Sequence, residues 1–305
     1  MKKKVAVSIG DLNGIGIEIA LRAHKEVSQI VEPIYIIDKK MLKQASKLLQ
    51  IPIPKDFQTL APNASYFKIK AGKVSKKSGA YSFASFKKAI ELAQEKKVDA
   101  ICTLPIHKEA WQKAGLEYVG HTDYLRRYFK KEAIMMLGCK ELYVALFSEH
   151  IPLKKVPDMI KAKKLKEFFL DLQNSLKSQK KIAVLGLNPH AGDNGVLGNE
   201  EKKIKKAIKR ANKALNKELF IGPIVPDIAF TPNFRKNYQY FVAMYHDQGL
   251  APLKALYFEE SINVSLNLPI LRTSVDHGTA FDIAYKNKAI NIKSYLNAFE
   301  YILKN

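Results

Sequence analysis

Short apolar runs alternate with amphipathic stretches along the whole chain. Val5–Ile9, Ile34–Ile37, Ala100–Leu104, Ile134–Leu137, Tyr143–Phe147, Ile182–Leu185 and Phe241–Met244 are short apolar blocks and read as buried strands. Between them, Ile15–Val27, Met41–Leu49, Ser82–Lys96, Lys163–Leu176 and Glu200–Leu215 carry apolar residues at helical spacing, and Ile292–Leu303 predicts a last helix. This alternation predicts an α/β protein with a largely parallel sheet. Residues 51–62 are proline-rich and predict a loop. A boundary is expected near Gly115–Gly120, dividing the chain into a first α/β subdomain of residues 1–116 with 285–305 and a second of 117–284. Ligands of open parallel sheets gather beyond the carboxyl ends of strands, so the residues that follow each strand are read most closely.

Composition narrows the class. At 47% hydrophobic, the 305 residues suffice for a packed core and exclude global disorder. The longest apolar runs, Val98–Pro105 and Ala133–Gly138, fall far short of the ~18 residues a spanning helix needs, so no membrane partner is expected. Met1-Lys2-Lys3-Lys4-Val5 leads straight into the first apolar run, which does not resemble a signal peptide. Cys102 and Cys139 lie inside apolar stretches without CxxC spacing, which suits a reducing cytoplasm.

Lys+Arg 51 against Asp+Glu 29 gives a net charge of +22. The lysines crowd into residues 154–181 and 202–217, on the polar positions of two amphipathic patterns. A solvated basic face is the simpler reading; a nucleic-acid patch is the remote alternative. No zinc-finger or RNP-like signature appears and aromatics do not interleave with the lysines, so no nucleic-acid partner is expected.

Seven histidines occur. His24 falls within the first helix and is expected at the surface. Three follow strands directly: His150 in Ser148-Glu149-His150-Ile151-Pro152-Leu153, His190 in Asn188-Pro189-His190-Ala191-Gly192, and His246 in Tyr245-His246-Asp247-Gln248-Gly249. Any one alone is more simply a hydrogen-bonded structural histidine. Their shared position after strands favours convergence on one divalent ion with coordination sites left open.

Gly10-Asp11-Leu12-Asn13-Gly14-Ile15-Gly16 follows the first strand and opens a helix. It reads equally as a phosphate-cradling turn or a plain strand–helix turn, and Asp38 is the acidic residue a dinucleotide fingerprint would use. Lys108 in Pro105-Ile106-His107-Lys108 is placed to meet an anion. In Gly120-His121-Thr122-Asp123, Thr122 or Asp123 suits a helix N-cap. Lys254 and Arg272 suit a phosphate or carboxylate.

These motifs, in this order, resemble the 4-hydroxythreonine-4-phosphate dehydrogenase family of vitamin B6 biosynthesis nearly end to end. The resemblance also rests on Arg272-Thr273-Ser274-Val275-Asp276-His277-Gly278-Thr279-Ala280. It implies two α/β subdomains with a central cleft, like isocitrate and isopropylmalate dehydrogenases. It implies a homodimer with an active site shared between subunits. One divalent metal (Zn, Mg or Co) is implied at His150, His190 and His246, with substrate contacts at His121, Thr122, Lys254, Asn263 and Arg272. The implied reaction is NAD- or NADP-linked oxidation of a small phosphorylated amino acid, 4-phosphohydroxythreonine, with decarboxylation to 3-amino-2-oxopropyl phosphate. For the alcohol proton, Asp247 is the first candidate and Lys254 the second. No residue is assigned to the nicotinamide cofactor. Asp11-Leu12-Asn13 and Ile17-Glu18, where prolines are usual, Cys102 and Leu104 at the strand end before Pro105, and Asn267, where glycine is usual, depart from the family's pattern. A related branch oxidising 4-phosphothreonate or 4-phosphoerythronate is the alternative.

Overall fold

The computed structural model describes residues 2–305, which form two compact α/β units. The first comprises residues up to Lys131 together with Ile262–Val264 and Leu268–Asn305; the second comprises Glu132–Ser261 and Ser265–Asn267. The boundary thus falls at Lys131/Glu132 and the chain returns near residue 262, against the expected 116/117 and 285.

The first unit begins with β1 (Lys4–Ser8), α1 (Gly16–Ile30), β2 (Glu32–Ile36), α2 (Lys39–Leu49), β3 (Thr59–Leu60) and α3 (Lys76–Gln94). It continues with β4 (Ala100–Thr103), α4 (Lys108–Lys113) and α5 (His121–Phe129). The second unit contains β5 (Ile134–Cys139), β6 (Leu142–Leu146), α6 (Val156–Met159), α7 (Ala162–Leu176), β7 (Ile182–Leu185) and α8 (Glu200–Leu215). Then follow β8 (Phe220–Ile224), α9 (Pro226–Ala229), α10 (Pro232–Arg235), β9 (Tyr240–Ala243) and α11 (His246–Tyr257). β10 (Ile262–Leu266) has residues in both units; β11 (Leu271–Val275) and α12 (Lys293–Lys304) belong to the first.

In the first unit the strand order is β3-β2-β1-β4-β11, every pair parallel. Its register levels Ser8 with Thr103 and Thr103 with Ser274, so three carboxyl ends lie side by side. In the second unit the order is β5-β6-β9-β7-β8; β5 and β6 form an antiparallel pair and the rest are parallel. Phe86, Trp111, Tyr124 and Leu125 share a core with Ala6 and Ile101, which explains why α5 stays with the first unit. Leu142, Val144, Ala183, Phe241 and Leu253 belong to the second unit's core. On α7 the buried residues are Leu165, Phe169 and Leu172, and on α8 Glu201, Ile204, Ala207, Ile208 and Ala211; the lysines occupy the other positions, as their spacing predicts.

Three readings change here. His24 is buried, because α1 is covered on most sides. Its Nδ1 meets the Tyr35 hydroxyl at 3.0 Å, and its Nε2 lies 3.1 Å from Asp56. The Gly10–Gly16 turn is not an open anion cradle. The Asp11 amide donates to Pro105 O, the Asn13 amide to Asp11 Oδ1, the Gly14 amide to Asp11 O and the Ile15 amide to Thr279 O. A Cβ on Gly14 would lie 2.7 Å from Thr279 O, so chain already fills the place of a ligand. Asp38 is likewise occupied: it caps α2 through the Lys40 and Met41 amides and accepts from the Tyr81 hydroxyl at 2.7 Å.

Asn13 extends this knot, donating to Lys73 O and accepting from the Lys70 amide. Ser78 Oγ donates to Asp11 Oδ2 at 3.0 Å. Burial nevertheless dominates and pushes the Asp11 carboxyl up from 3.8 to about 6. A raised folded-state value means that the fold favours the protonated form. That contribution is complete below about pH 4 and is lost as pH rises through about 6. Asp11→Asn is therefore expected to be more stable than the natural chain at neutral pH, by on the order of 1–3 kcal/mol, and to show no gain at acid pH. Thermal unfolding of both proteins across this range checks it; parallel pH profiles would contradict it.

Candidate functional site

In the second unit the parallel strands β6, β7 and β9 each end in a loop or helix start that carries a histidine. His150 follows β6, His190 follows β7 and His246 is the first residue of α11 after β9. The rings of His150 and His246 lie 5.5 Å apart. His246 Nδ1 donates to Asp247 Oδ1 at 2.7 Å, so in the neutral ring Nε2 is the acceptor nitrogen. A ring tied at one nitrogen to a carboxylate is oriented for ligation through the other. His150 and His190 are exposed, and His246 is half-exposed. Among the described residues, no three His, Cys, Asp or Glu side chains of the single chain form a group able to hold a metal. The pair His150–His246 is thus assembled, while His190 is carried separately on the turn after β7.

That turn has an unusual backbone. His190, Ala191, Gly192, Asp193 and Asn194 all have φ between 40 and 79, a left-handed run in which four residues are not glycine. Each such residue costs roughly 1–2 kcal/mol against the right-handed alternative. Glu201 of α8 supports it. Its Oε1 accepts from the Leu187 and Asn188 amides at 2.9 and 2.8 Å, and its Oε2 from Asn188 Nδ2 at 3.0 Å. Gln248 links the strand ends: its Oε1 accepts from the Met244 amide at 2.7 Å, and its Nε2 donates to Gly186 O at 2.6 Å. The sequence reading assigned no role to Glu201 or Gln248. An acidic pair, Glu200-Glu201, opening a lysine-rich helix was the available signal for the first.

Asp247 is exposed apart from its bond to His246. Lys254 lies two turns further along α11, with Nζ 5.6 Å from the Phe258 ring.

In the first unit, Arg272 and His121 come together. Arg272 is 2% exposed, and its Nη2 lies 3.3 Å from His121 Nδ1. Burial lowers the guanidinium to about 10 and holds the His121 imidazolium well below 6.5, with the Arg272 charge adding to the second effect. His121 is therefore neutral at physiological pH. Its ring meets Phe86 edge-on at 4.5 Å and Trp111 at 5.5 Å. Its Nε2 is buried and makes no hydrogen bond among the described residues. The same holds for Asn263 Oδ1 on β10. Such atoms ordinarily find a partner, so both mark places where a polar ligand is expected.

Thr122 is half-buried in the first turn of α5. Neither Thr122 nor Asp123 is the N-cap, which is Gly120; Asp123 instead accepts from the Val119 amide. Lys108 is exposed at the start of the short helix α4. Asn267, where glycine is usual, sits at φ 60 and bonds through its side chain to Glu132 O, a conformation asparagine tolerates.

Residues 29–302 match the family model described as Pyridoxal phosphate biosynthetic protein PdxA. A Sulfurimonas denitrificans protein named 4-hydroxythreonine-4-phosphate dehydrogenase is 64% identical over 299 residues, covering 98% of this chain and 96% of its own. A Helicobacter pylori (strain Shi470) protein of the same name is 56% identical and covers 99% of both chains. The solved structure of a Klebsiella pneumoniae protein of that name superposes with a TM-score of 0.84 at 31% identity, over 99% of this chain and 98% of that one.

Removing the Glu201 carboxylate leaves the part-buried Leu187 and Asn188 backbone amides without their acceptor and leaves Asn188 Nδ2 with Glu200 alone. Glu201→Ala is expected to lose about 2–4 kcal/mol of stability. It is also expected to speed hydrogen exchange at Leu187 and Asn188 above the rate at other loop amides. Exchange mass spectrometry measures this directly, and unchanged protection at those two amides would refute the bracing role.

Proposed function

The chain belongs to the PdxA family of pyridoxal phosphate biosynthetic proteins, and on that footing we propose that it is an NAD(P)-linked, metal-dependent dehydrogenase. Its substrate in this reading is 4-phosphohydroxythreonine, oxidised at the secondary alcohol and decarboxylated to 3-amino-2-oxopropyl phosphate. The observation that carries the chemistry is the His150–His246 pair with Asp247 fixed on one ring. Imidazoles oriented in this way fit a divalent ion, and suit zinc or cobalt better than magnesium. His150, His190 and His246 would hold it.

When bound, the ion would supply Lewis-acid polarisation of the alcohol oxygen and the nicotinamide would supply a hydride acceptor. The remaining work falls to the chain's own side chains. Arg272 and Lys254 neutralise the phosphate and carboxylate of the substrate. His121, Thr122 and Asn263 bind its polar atoms; the buried His121 Nε2 and Asn263 Oδ1 support that role. Asp247 orients His246 and is first in line to take the alcohol proton, with Lys254 second.

A homodimer that completes the site is part of the same reading. Leu153, three residues after His150, is 64% exposed, and Val196, six after His190, is 80% exposed, with Leu197 and Ile228 also bare. Large apolar side chains beside candidate ligands support burial by a second copy of the chain.

An NADH absorbance assay with 4-phosphohydroxythreonine, with and without a chelator, tests the proposal. Activity is expected to vanish on chelation. His150→Ala, His190→Ala and His246→Ala are each expected to lower kcat/KM by on the order of 100-fold or more. Full activity in all three variants would remove the metal assignment. Faster turnover of 4-phosphoerythronate than of 4-phosphohydroxythreonine would move the chain to the sugar-acid-phosphate branch.

A further inference from the structure

Thr103, the last residue of β4, sits directly behind Arg272. In the parallel β4–β11 register, Arg272 stands opposite Ile101 and Ser274 opposite Thr103. Side chains alternate across a strand, so Arg272 and Thr103 emerge on one face, two residues apart along it. The guanidinium turns toward the strand's carboxyl end and meets the Thr103 hydroxyl. Arg272 Nε donates to Thr103 Oγ1 at 3.1 Å and Nη2 donates to the same oxygen at 2.7 Å. The hydroxyl proton faces Thr273 O at 3.4 Å. A hydroxyl has two lone pairs and one proton; both lone pairs take the guanidinium, and the proton is left to a long contact with Thr273 O. Thr103 is fully buried, and Ser274 Oγ donates to its carbonyl oxygen at 3.0 Å.

This contact has an effect one residue further away. A guanidinium has donors and no acceptor. Where Arg272 Nη2 faces His121 Nδ1, that nitrogen must accept, and in a neutral ring the proton then sits on Nε2. Nε2 is the buried nitrogen that has no hydrogen-bond partner among the described residues. The ring cannot swing elsewhere easily, because Phe86 and Trp111 hold it edge-on.

We propose that Thr103 is a positioning residue: it fixes the plane of Arg272, and through Arg272 the tautomer of His121, so that His121 offers an Nε2–H donor to an oxygen of the anionic substrate. The inference rests on the reading of Arg272 and His121 as substrate contacts. Burial supports it by keeping the His121 ring neutral, since a protonated ring would place an N–H against the guanidinium. The recognition is then one fixed cation plus one neutral donor, a pairing suited to a phosphate group.

The test uses the full-length holoenzyme and three variants. Thr103→Val keeps the shape and removes the hydroxyl; Thr103→Ser keeps the hydroxyl; Arg272→Ala removes the guanidinium. Thr103→Val is expected to raise KM about tenfold or more with kcat changed less than about threefold, and Thr103→Ser to restore KM to within about threefold of the natural enzyme. Arg272→Ala is expected to raise KM more than Thr103→Val does. Imidazole nitrogen NMR on the natural enzyme, with the His121 signal assigned by its absence in His121→Asn, should show the Nε2–H tautomer. Thr103→Val should show a mixture. A raised KM in Arg272→Ala with an unchanged KM in Thr103→Val overturns the positioning role. An Nδ1–H tautomer in the natural enzyme overturns it without any Thr103 variant needing to fold. An unchanged KM in Arg272→Ala instead removes the substrate reading, and with it the functional half of the proposal.

Discussion

Parallel strand pairing is the constraint on which the rest of this structure depends. In a parallel ladder the carboxyl ends of neighbouring strands lie on one edge, and whatever follows each strand is delivered to the same side. In the first unit the register levels Ser8, Thr103 and Ser274. Arg272 can then reach Thr103 across 169 residues of sequence with no loop rearrangement. In the second unit the same rule sets the ends of β6, β9 and β7 side by side; His150 and His246 follow two of them as a pair, and the turn that bears His190 follows the third. A slip of one residue in the β4–β11 ladder would turn Arg272 and Thr103 to opposite faces of the sheet.

The second organising demand is the satisfaction of buried polar groups. The glycine-rich turn after β1 meets it internally: its amides go to Pro105, Asp11 and Thr279, and its side chains tie down the segments around Lys70 and Ser78. Arg272 pairs with Thr103 and His121, while the Nε2 of His121 has no bond among the described residues. The difference separates structure from chemistry within one unit. A closed polar knot stabilises the sheet edge, and a neighbouring polar cluster with buried atoms still unbonded is where a ligand is expected.

Much of this was legible in the chain. The apolar blocks located seven strands, because buried parallel strands read as short continuous apolar runs. They also located the three post-strand histidines. β10 and β11 were not read as strands, because Asn263, Ser265, Arg272, Thr273 and Ser274 interrupt their apolar pattern with the very groups that carry chemistry. The turn at Gly10–Gly16 was ambiguous because its partner, Thr279, arrives from the far end of the chain. His24 was expected at the surface because the pattern of α1 looks amphipathic in isolation, whereas β2, α12 and the loop through Phe57 cover the rest of it. Thr103 gave no signal at all: a threonine closing an apolar strand is unremarkable until its opposite strand is known.

The left-handed turn from His190 to Asn194 has a consequence for how the chain can vary. Side chains branched at Cβ are excluded from that conformation, so valine, isoleucine and threonine are barred from its four non-glycine positions. Because the segment is wound against the usual hand before anything approaches it, the ordering entropy of presenting His190 is spent during folding. An incoming group then meets a donor whose direction of approach is already set.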